Sequence, residues 1–308
     1  MNQHFLQSEA WEKFQHALGN VTIRRTGDGW SYLAIVERGG GLTRLYCPYG
    51  PTVVNNTSLD DALEDLKTEA EKIGAAFIRI QPQGVLVDTP IAKQLGLSAV
   101  EYSQPVATRV IDLSSSLDQI LSGVSQSKRS VCRNYQRKGL THRVTKDPGQ
   151  IELLFGPLHD IAARNRITVH SDDYIRTQAM SLMPNAASLH SIQLGDTVIA
   201  AALLFEGPQT NYYAHAGTLR AHYKLQANTA LIWELIQYSK GQGKHWLDLF
   251  GIAPDDNPAH PWAGVSAFKA SFGGRVIHYN QTYDLPVKKT AYRGYMLLRS
   301  LKKHLKNR

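Results

Sequence analysis

Two hydrophobic periodicities alternate along the chain and mark out a first series of elements. Residues 8–18 carry apolar positions at helical spacing, with Ser8 as N-cap and Glu9 in the first turn. Segments 20–25, 31–37 and 42–47 alternate with the two-residue period of strands, separated by Gly27-Asp28-Gly29 and Gly39-Gly40-Gly41. Residues 58–73 predict a helix capped by Ser58, with Leu59, Ala62, Leu63, Leu66, Ala70 and Ile73 on one stripe. A strand at Phe77–Ile80, a helix over 90–95, a strand near 99–102 and an extended segment at 106–112 follow.

A second series repeats the plan. Leu117–Leu121 and Ser127–Lys138 read as helices, the latter basic, and Leu140–Val144 reads as a strand. Helices over 150–165, with Ile151, Leu154, Leu158 and Ile161 apolar, and over 172–183 precede a meander at 188–194, 197–206 and 210–216. A helix over 225–240 leads to strands at Trp246–Leu249 and 275–283. The chain closes on a basic helix, 287–306, with Tyr292, Tyr295, Leu298 and Leu301 on one side. Each series runs helix, strands, helix, strand in mixed order, which predicts two α+β domains with mixed, mostly antiparallel sheets.

Composition fits that plan. With 308 residues, 43% of them hydrophobic, the chain is long enough for two ordinary cores. No apolar run approaches the roughly 20 residues of a membrane span. The N-terminus, MNQHFLQSEAWEK, lacks the apolar centre of a signal peptide, so a cytoplasmic location is expected. Cys47 and Cys132 suggest free thiols in a reducing compartment. The histidines form no pair at metal-ligand spacing on a helix face, so neither a metal nor a cofactor is expected.

Charge adds a partner. The net charge is +8, yet the bases are concentrated. Between Asp118 and Asp147 lie Lys128, Arg129, Arg133, Arg137, Lys138, Arg143 and Lys146, with no acid among them. After Asp284 there are eight more bases, from Lys288 to Arg308, and again no acid. These segments hold 15 of the 34 Lys and Arg and none of the 26 acids, so the rest of the chain is acidic. A localised polyanionic partner is expected, with solvated helix faces as the alternative.

The candidate chemistry lies in residues 266–286, SAFKASFGGRVIHYNQTYDLP. Phe268 and Lys269 stand side by side, ahead of Phe272, Gly273 and Gly274. An ammonium beside an aromatic and next to glycines suits a site that stabilises developing negative charge. A surface lysine before a tight turn is the other reading.

This segment resembles the Fem family, transferases that take an amino acid from aminoacyl-tRNA and join it to a peptidoglycan stem peptide. Residues 5–14 (FLQSEAWEKF), 46–51 (YCPYGP), 78–82 (IRIQP) and 109–113 (RVIDL) match further family motifs in the same order. The resemblance implies paired acetyltransferase-like (GNAT-type) domains without the long helical arm of some members. The first would comprise residues 1–108 plus 281–308 and face the precursor; the second, 109–280, would face the aminoacyl-tRNA and carry the lysine. It also implies roles. Lys269 would stabilise the oxyanion formed when an amine attacks the aminoacyl ester, and Phe268 would stack on the tRNA terminus. Lys128, Arg129, Arg133, Arg137 and Lys138 would hold the RNA. The acceptor would lie near Tyr46, Arg79, Gln81, Tyr213 and His215, with Arg79 either offering a fork to a peptide carboxylate or salt-bridged at a strand end, and Tyr223 either meeting a substrate or packing at a helix start.

The pattern departs from described relatives at Gln15, His170 and Gln81, where basic residues or an aspartate are expected. A lipid-linked rather than nucleotide-linked precursor, with Lys13 and Arg24 or Arg25 supplying contacts and with peripheral contact to the inner membrane face, would fit those changes. Two other classes stay open. An acyl-thioester acyltransferase is disfavoured because 220–227 (RAHYKLQA) has no glycine for a phosphate cradle. A non-catalytic RNA-binding module would leave the Phe268-Lys269 pair unused.

Overall fold

The computed structural model describes residues 3–101, 103–165 and 168–306. Tyr102, in the strand expected near 99–102, and Arg308, in the basic terminal segment, lie outside them. The chain divides into two compact units, residues 1–106 with 279–308, and residues 107–278. Both boundaries fall two residues before the expected ones.

The first unit begins with α1 (Glu9–Ala17), β1 (Val21–Gly27), β2 (Trp30–Gly39), β3 (Leu42–Cys47) and β4 (Thr52–Val53). It continues through α2 (Asn56–Lys72), β5 (Phe77–Ile80), α3 (Thr89–Gln94) and β6 (Ser98–Val100). Ser8 caps α1 as expected, its hydroxyl accepting from the Trp11 N–H. The buried Gln7 ties the N-terminal segment to the sheet: its amide nitrogen donates to the carbonyls of Leu33 and Pro48 at 3.0 and 2.7 Å. α2 starts before its expected cap, because Asn55 accepts from the Ser58 N–H at 2.8 Å. Its stripe of Leu59, Ala62, Leu63, Leu66 and Ala70 is buried in the core, and each fully buried leucine stabilises by about 1.5–3 kcal/mol.

The second unit contains β7 (Ala107–Asp112), α4 (Leu117–Gly123), α5 (Gln126–Asn134), β8 (Leu140–Thr145), α6 (Glu152–Asn165) and α7 (Asp172–Leu182). There follow β9 (Ala187–Leu194), β10 (Thr197–Glu206), β11 (Thr210–Thr218), α8 (Ala227–Gly241), β12 (Trp246–Gly251), α9 (Ala263–Ala270) and β13 (Arg275–His278). The strand order is β13-β7-β12-β11-β10-β9-β8, antiparallel except for β11 with β12. α8 buries Leu231, Leu235 and Ile236 in the main core. α6 crosses β11 at Gly217, where a Cβ would stand 2.2 Å from the Pro157 backbone.

β14 (Thr282–Pro286) and α10 (Lys289–Lys306) return to the first unit. Its sheet reads β1-β2-β3-β5-β14-β6, with β4 on β2 and one parallel pair, β3 with β5. The single strand expected at 275–283 is therefore two strands in two sheets. Asn280 makes the break: its side chain donates to the Pro82 and Val85 carbonyls and accepts from the Val87 N–H. The basic C-terminal helix also differs from expectation. Tyr292 and Tyr295 pack on Phe77, with ring centroids 5.2 and 4.8 Å away. Leu298 and Leu301, expected on the same side, are 59% and 52% exposed. Steps of three residues drift 60° around a helix, so a row spaced by three reaches the opposite face after three steps.

Candidate active site

α9 is not signalled by the pattern, because Ala263, Gly264, Ala267 and Ala270 give it little apolar contrast. It ends in a reversal at Gly273 and Gly274, both at positive φ (76° and 70°), and a Cβ on Gly274 would meet the Val110 carbonyl at 2.3 Å. That reversal sends β13 back along β7 and fixes the last turn of α9 against the end of β12.

Lys269 sits in that last turn. It is only 7% exposed, and its ammonium donates to the carbonyls of Gly251 at 2.7 Å and Phe250 at 3.2 Å. An ammonium carries three donors, and these two carbonyls take up two of them. Burial pushes the Lys269 pKa down to about 8, against a smaller upward pull from the Asp248 carboxylate. The carbonyls are aimed by a turn that the sequence reading missed. Asp248 is 3% exposed and accepts from the Phe250 N–H at 2.6 Å, two residues on, and from the Thr108 hydroxyl. Phe250 takes a left-handed conformation, φ 65°, which a bulky residue adopts at a cost of about 1–3 kcal/mol. The available signal is the Asp248-Leu249-Phe250-Gly251 run, an aspartate before a glycine at a strand end.

Phe268 lies half-buried against the core, edge-on to Phe272 at 5.3 Å. The Lys128 ammonium stands 5.0 Å from the Phe268 ring centroid and donates to Thr229 in the first turn of α8 at 3.3 Å. Two sequence candidates are thus brought together, and Lys128 contacts the aromatic rather than solvent alone. Arg129 is likewise engaged, donating to the Val124 carbonyl at 2.7 Å. Arg133, Arg137 and Lys138 are exposed, the last two in a short 3-10 turn at the end of the expected helix.

β11 and β12 pair only over Thr210–Tyr212 and Trp246–Asp248, although both strands run further. Tyr213 and His215 lie just beyond the last pair on β11, as Phe250 and Gly251 do on β12. Both pair with β10, Tyr213 with Leu204 and His215 with Leu203, and a bulge falls between the two pairs. Desolvation, with His170 nearby, pushes the His215 pKa down to about 4, so its ring is neutral at physiological pH. It hydrogen-bonds Gln178 at 2.8 Å and stands edge-on to His170 at 5.7 Å, while His170 stacks on Tyr174. Tyr223 is 64% exposed in the turn before α8, where Gln226 takes the left-handed conformation without a capping side chain.

The remaining candidates belong to the first unit, and three of them are buried. Arg79 is 4% exposed, and its fork is closed by Asp284 at 2.7 and 2.8 Å, which corrects its expected role as a carboxylate clamp. Gln81 is 1% exposed and donates to the Asn280 carbonyl. Gln15 is also buried, accepting from Asn20 at 2.8 Å, whereas Lys13 is exposed on α1. Tyr46 faces Arg79 across the parallel β3–β5 pair. Arg24 and Arg25 pair with Glu12 and Glu69. Among the described residues, no three His, Cys, Asp or Glu come together as a metal site.

Two acetyltransferase-like units, one holding a desolvated lysine at the end of a parallel strand pair, define the class. Residues 177–300, which include Lys269, match the sequence model of the FemAB family. The aminoacyltransferase FemA of Staphylococcus aureus is 27% identical over 104 residues, 34% of this chain and 25% of that protein. The matched stretch thus spans about a quarter of that relative's length. A crystal structure of FemX shares the fold with a TM-score of 0.82 at 17% identity, over 95% of this chain and 94% of that one. A tandem GNAT protein from the clavulanic acid biosynthesis pathway shares it at 0.54 and 13%, over 87% and 83%. The chain is thus similar to Fem proteins in fold and, over residues 177–300, in sequence.

Proposed function

We propose that this protein transfers an amino acid from aminoacyl-tRNA to a stem-peptide amine of a peptidoglycan precursor. The observation that carries this reading is Lys269, buried with two of its three donors fixed on backbone carbonyls. A neutral amine attacks the ester carbonyl, the C–N bond forms, and the carbonyl oxygen becomes an oxyanion. The third Lys269 N–H stabilises that charge in a site of low dielectric, where a fixed donor contributes far more than in water. Collapse breaks the C–O bond, and the proton lost by the attacking nitrogen passes to the ribose oxygen, which leaves as the hydroxyl. The ester is already activated, so the step requires positioning and charge stabilisation. Phe268 offers a ring face to the acceptor terminus, and Arg133, Arg137 and Lys138 offer exposed cations to its phosphates.

The turn before α8 favours this donor over a coenzyme A thioester. Phosphate binding on backbone N–H groups needs close approach, which glycines permit and the side chains of Tyr223, Lys224 and Gln226 hinder. With purified protein and a muropeptide precursor, charged tRNA is expected to support transfer, ribonuclease to abolish it, and an acyl-coenzyme A not to substitute. Transfer that survives ribonuclease and rises with the thioester contradicts the reading.

A further inference from the structure

α10 turns a row of leucines away from the unit on which it packs. Tyr292 and Tyr295 meet Phe77, and Arg299 reaches Glu101 at 3.4 Å, so these positions mark its docked face. At about 100° per residue, Leu297 and Leu301 fall on the other side and Leu298 on the flank. Leu297, Leu298 and Leu301 are 64%, 59% and 52% exposed, as contiguous positions one turn apart. A surface helix ordinarily presents polar residues there, so such a row marks an interaction surface. Arg293 is exposed one turn before Leu297, and the segment after Asp284 holds eight bases and no acid.

Leucines beside the exposed Arg293, on a segment that itself holds no acid and whose Arg299 meets Glu101 on the docked face, match the chemistry of a helix lying in the interface of an anionic bilayer. The apolar row enters the acyl boundary and the cations meet the head groups. An RNA supplies phosphates for the bases and nothing for the leucines. A second copy supplies apolar surface but brings a like charge of the same density. We infer that α10 docks this protein on an anionic membrane surface through Leu297, Leu298 and Leu301. This inference stands on α10 alone and does not depend on the proposed transfer reaction.

The test is co-sedimentation of the full chain with vesicles of phosphatidylcholine and with vesicles about one third phosphatidylglycerol. Wild type is expected to sediment with the anionic vesicles, and less so as salt rises. The variant L297Q/L298Q/L301Q should partition about tenfold or more weakly, with an unchanged melting temperature because these side chains lie outside the core. Three results would overturn the inference: no sedimentation of wild type, equal sedimentation with both vesicle types, or a variant that sediments like wild type. Loss of tRNA binding or of self-association in the variant, with vesicle binding retained, would assign the leucines to RNA or to a second copy instead.

Discussion

Arg79 on β5 and Asp284 on β14 stand opposite each other in register and share two hydrogen bonds, 2.7 and 2.8 Å long. Both are almost fully buried, and the Tyr292 hydroxyl donates to the same carboxylate at 3.2 Å. The pair fastens the returning C-terminal strand between β5 and β6 of the first sheet, although 205 positions separate the two residues along the chain.

Breaking that pair leaves a charge buried without a partner. Asp284→Ala is expected to destabilise the first unit by about 3–5 kcal/mol, read as a lower urea midpoint. Replacing both residues, R79M with D284L, should recover much of the loss. A single variant as stable as wild type would contradict the structural role given to Arg79.

Asp248 is expected to act as a positioning residue for Lys269. Asp248→Asn keeps an acceptor for the Phe250 N–H and removes the charge that raises the Lys269 pKa. The protonated fraction of Lys269 then falls at lower pH. The high-pH limb of the transfer rate should move acidward, with the precursor KM little changed. An unmoved limb would separate Asp248 from the lysine.

RNA contact is expected from the exposed bases alone. Removing Arg133, Arg137 and Lys138 should weaken tRNA binding and reduce the slope of log affinity against log salt by about three. Precursor affinity should stay constant. Lys128→Met should instead disturb Phe268 and lower the rate more than the salt slope. An unchanged slope in the triple variant would place the tRNA elsewhere.

Stability and pH should also be linked through Lys269. Its folded pKa, about 8, lies below the ordinary 10.5, so between those values the unfolded chain binds more protons. Wild type should therefore gain stability relative to Lys269→Met as pH rises through that window. Below it, the buried ammonium costs stability, and the methionine variant should be at least as stable as wild type. A marked fall in its melting temperature near pH 7 would make the lysine structural.

Much of this architecture was legible in the sequence, and the gaps have physical causes. The alternating strands of both sheets and the stripe of α2 are periodic, so the pattern places them. The register of β14 was hidden because Arg275–Pro286 reads as one extended run, and only the side-chain bonds of Asn280 divide it. α9 was hidden because its residues are small and its burial comes from packing rather than from contrast. At the site, Phe268 and Lys269 could be picked out as residue types. Their supports, Asp248 and the left-handed Phe250, depend on how a strand end turns, which spacing does not encode. Arg79 and Gln81 looked available because a sequence does not show which polar side chains are already paired inside a core.

The most direct measurement is the single-turnover transfer rate of Lys269→Met with charged tRNA and precursor. The variant keeps most of the volume and removes the donor. A fall of about 100-fold or more, with melting temperature and tRNA affinity retained, is the predicted result. A variant that transfers at the wild-type rate would contradict the assignment of Lys269 to the oxyanion.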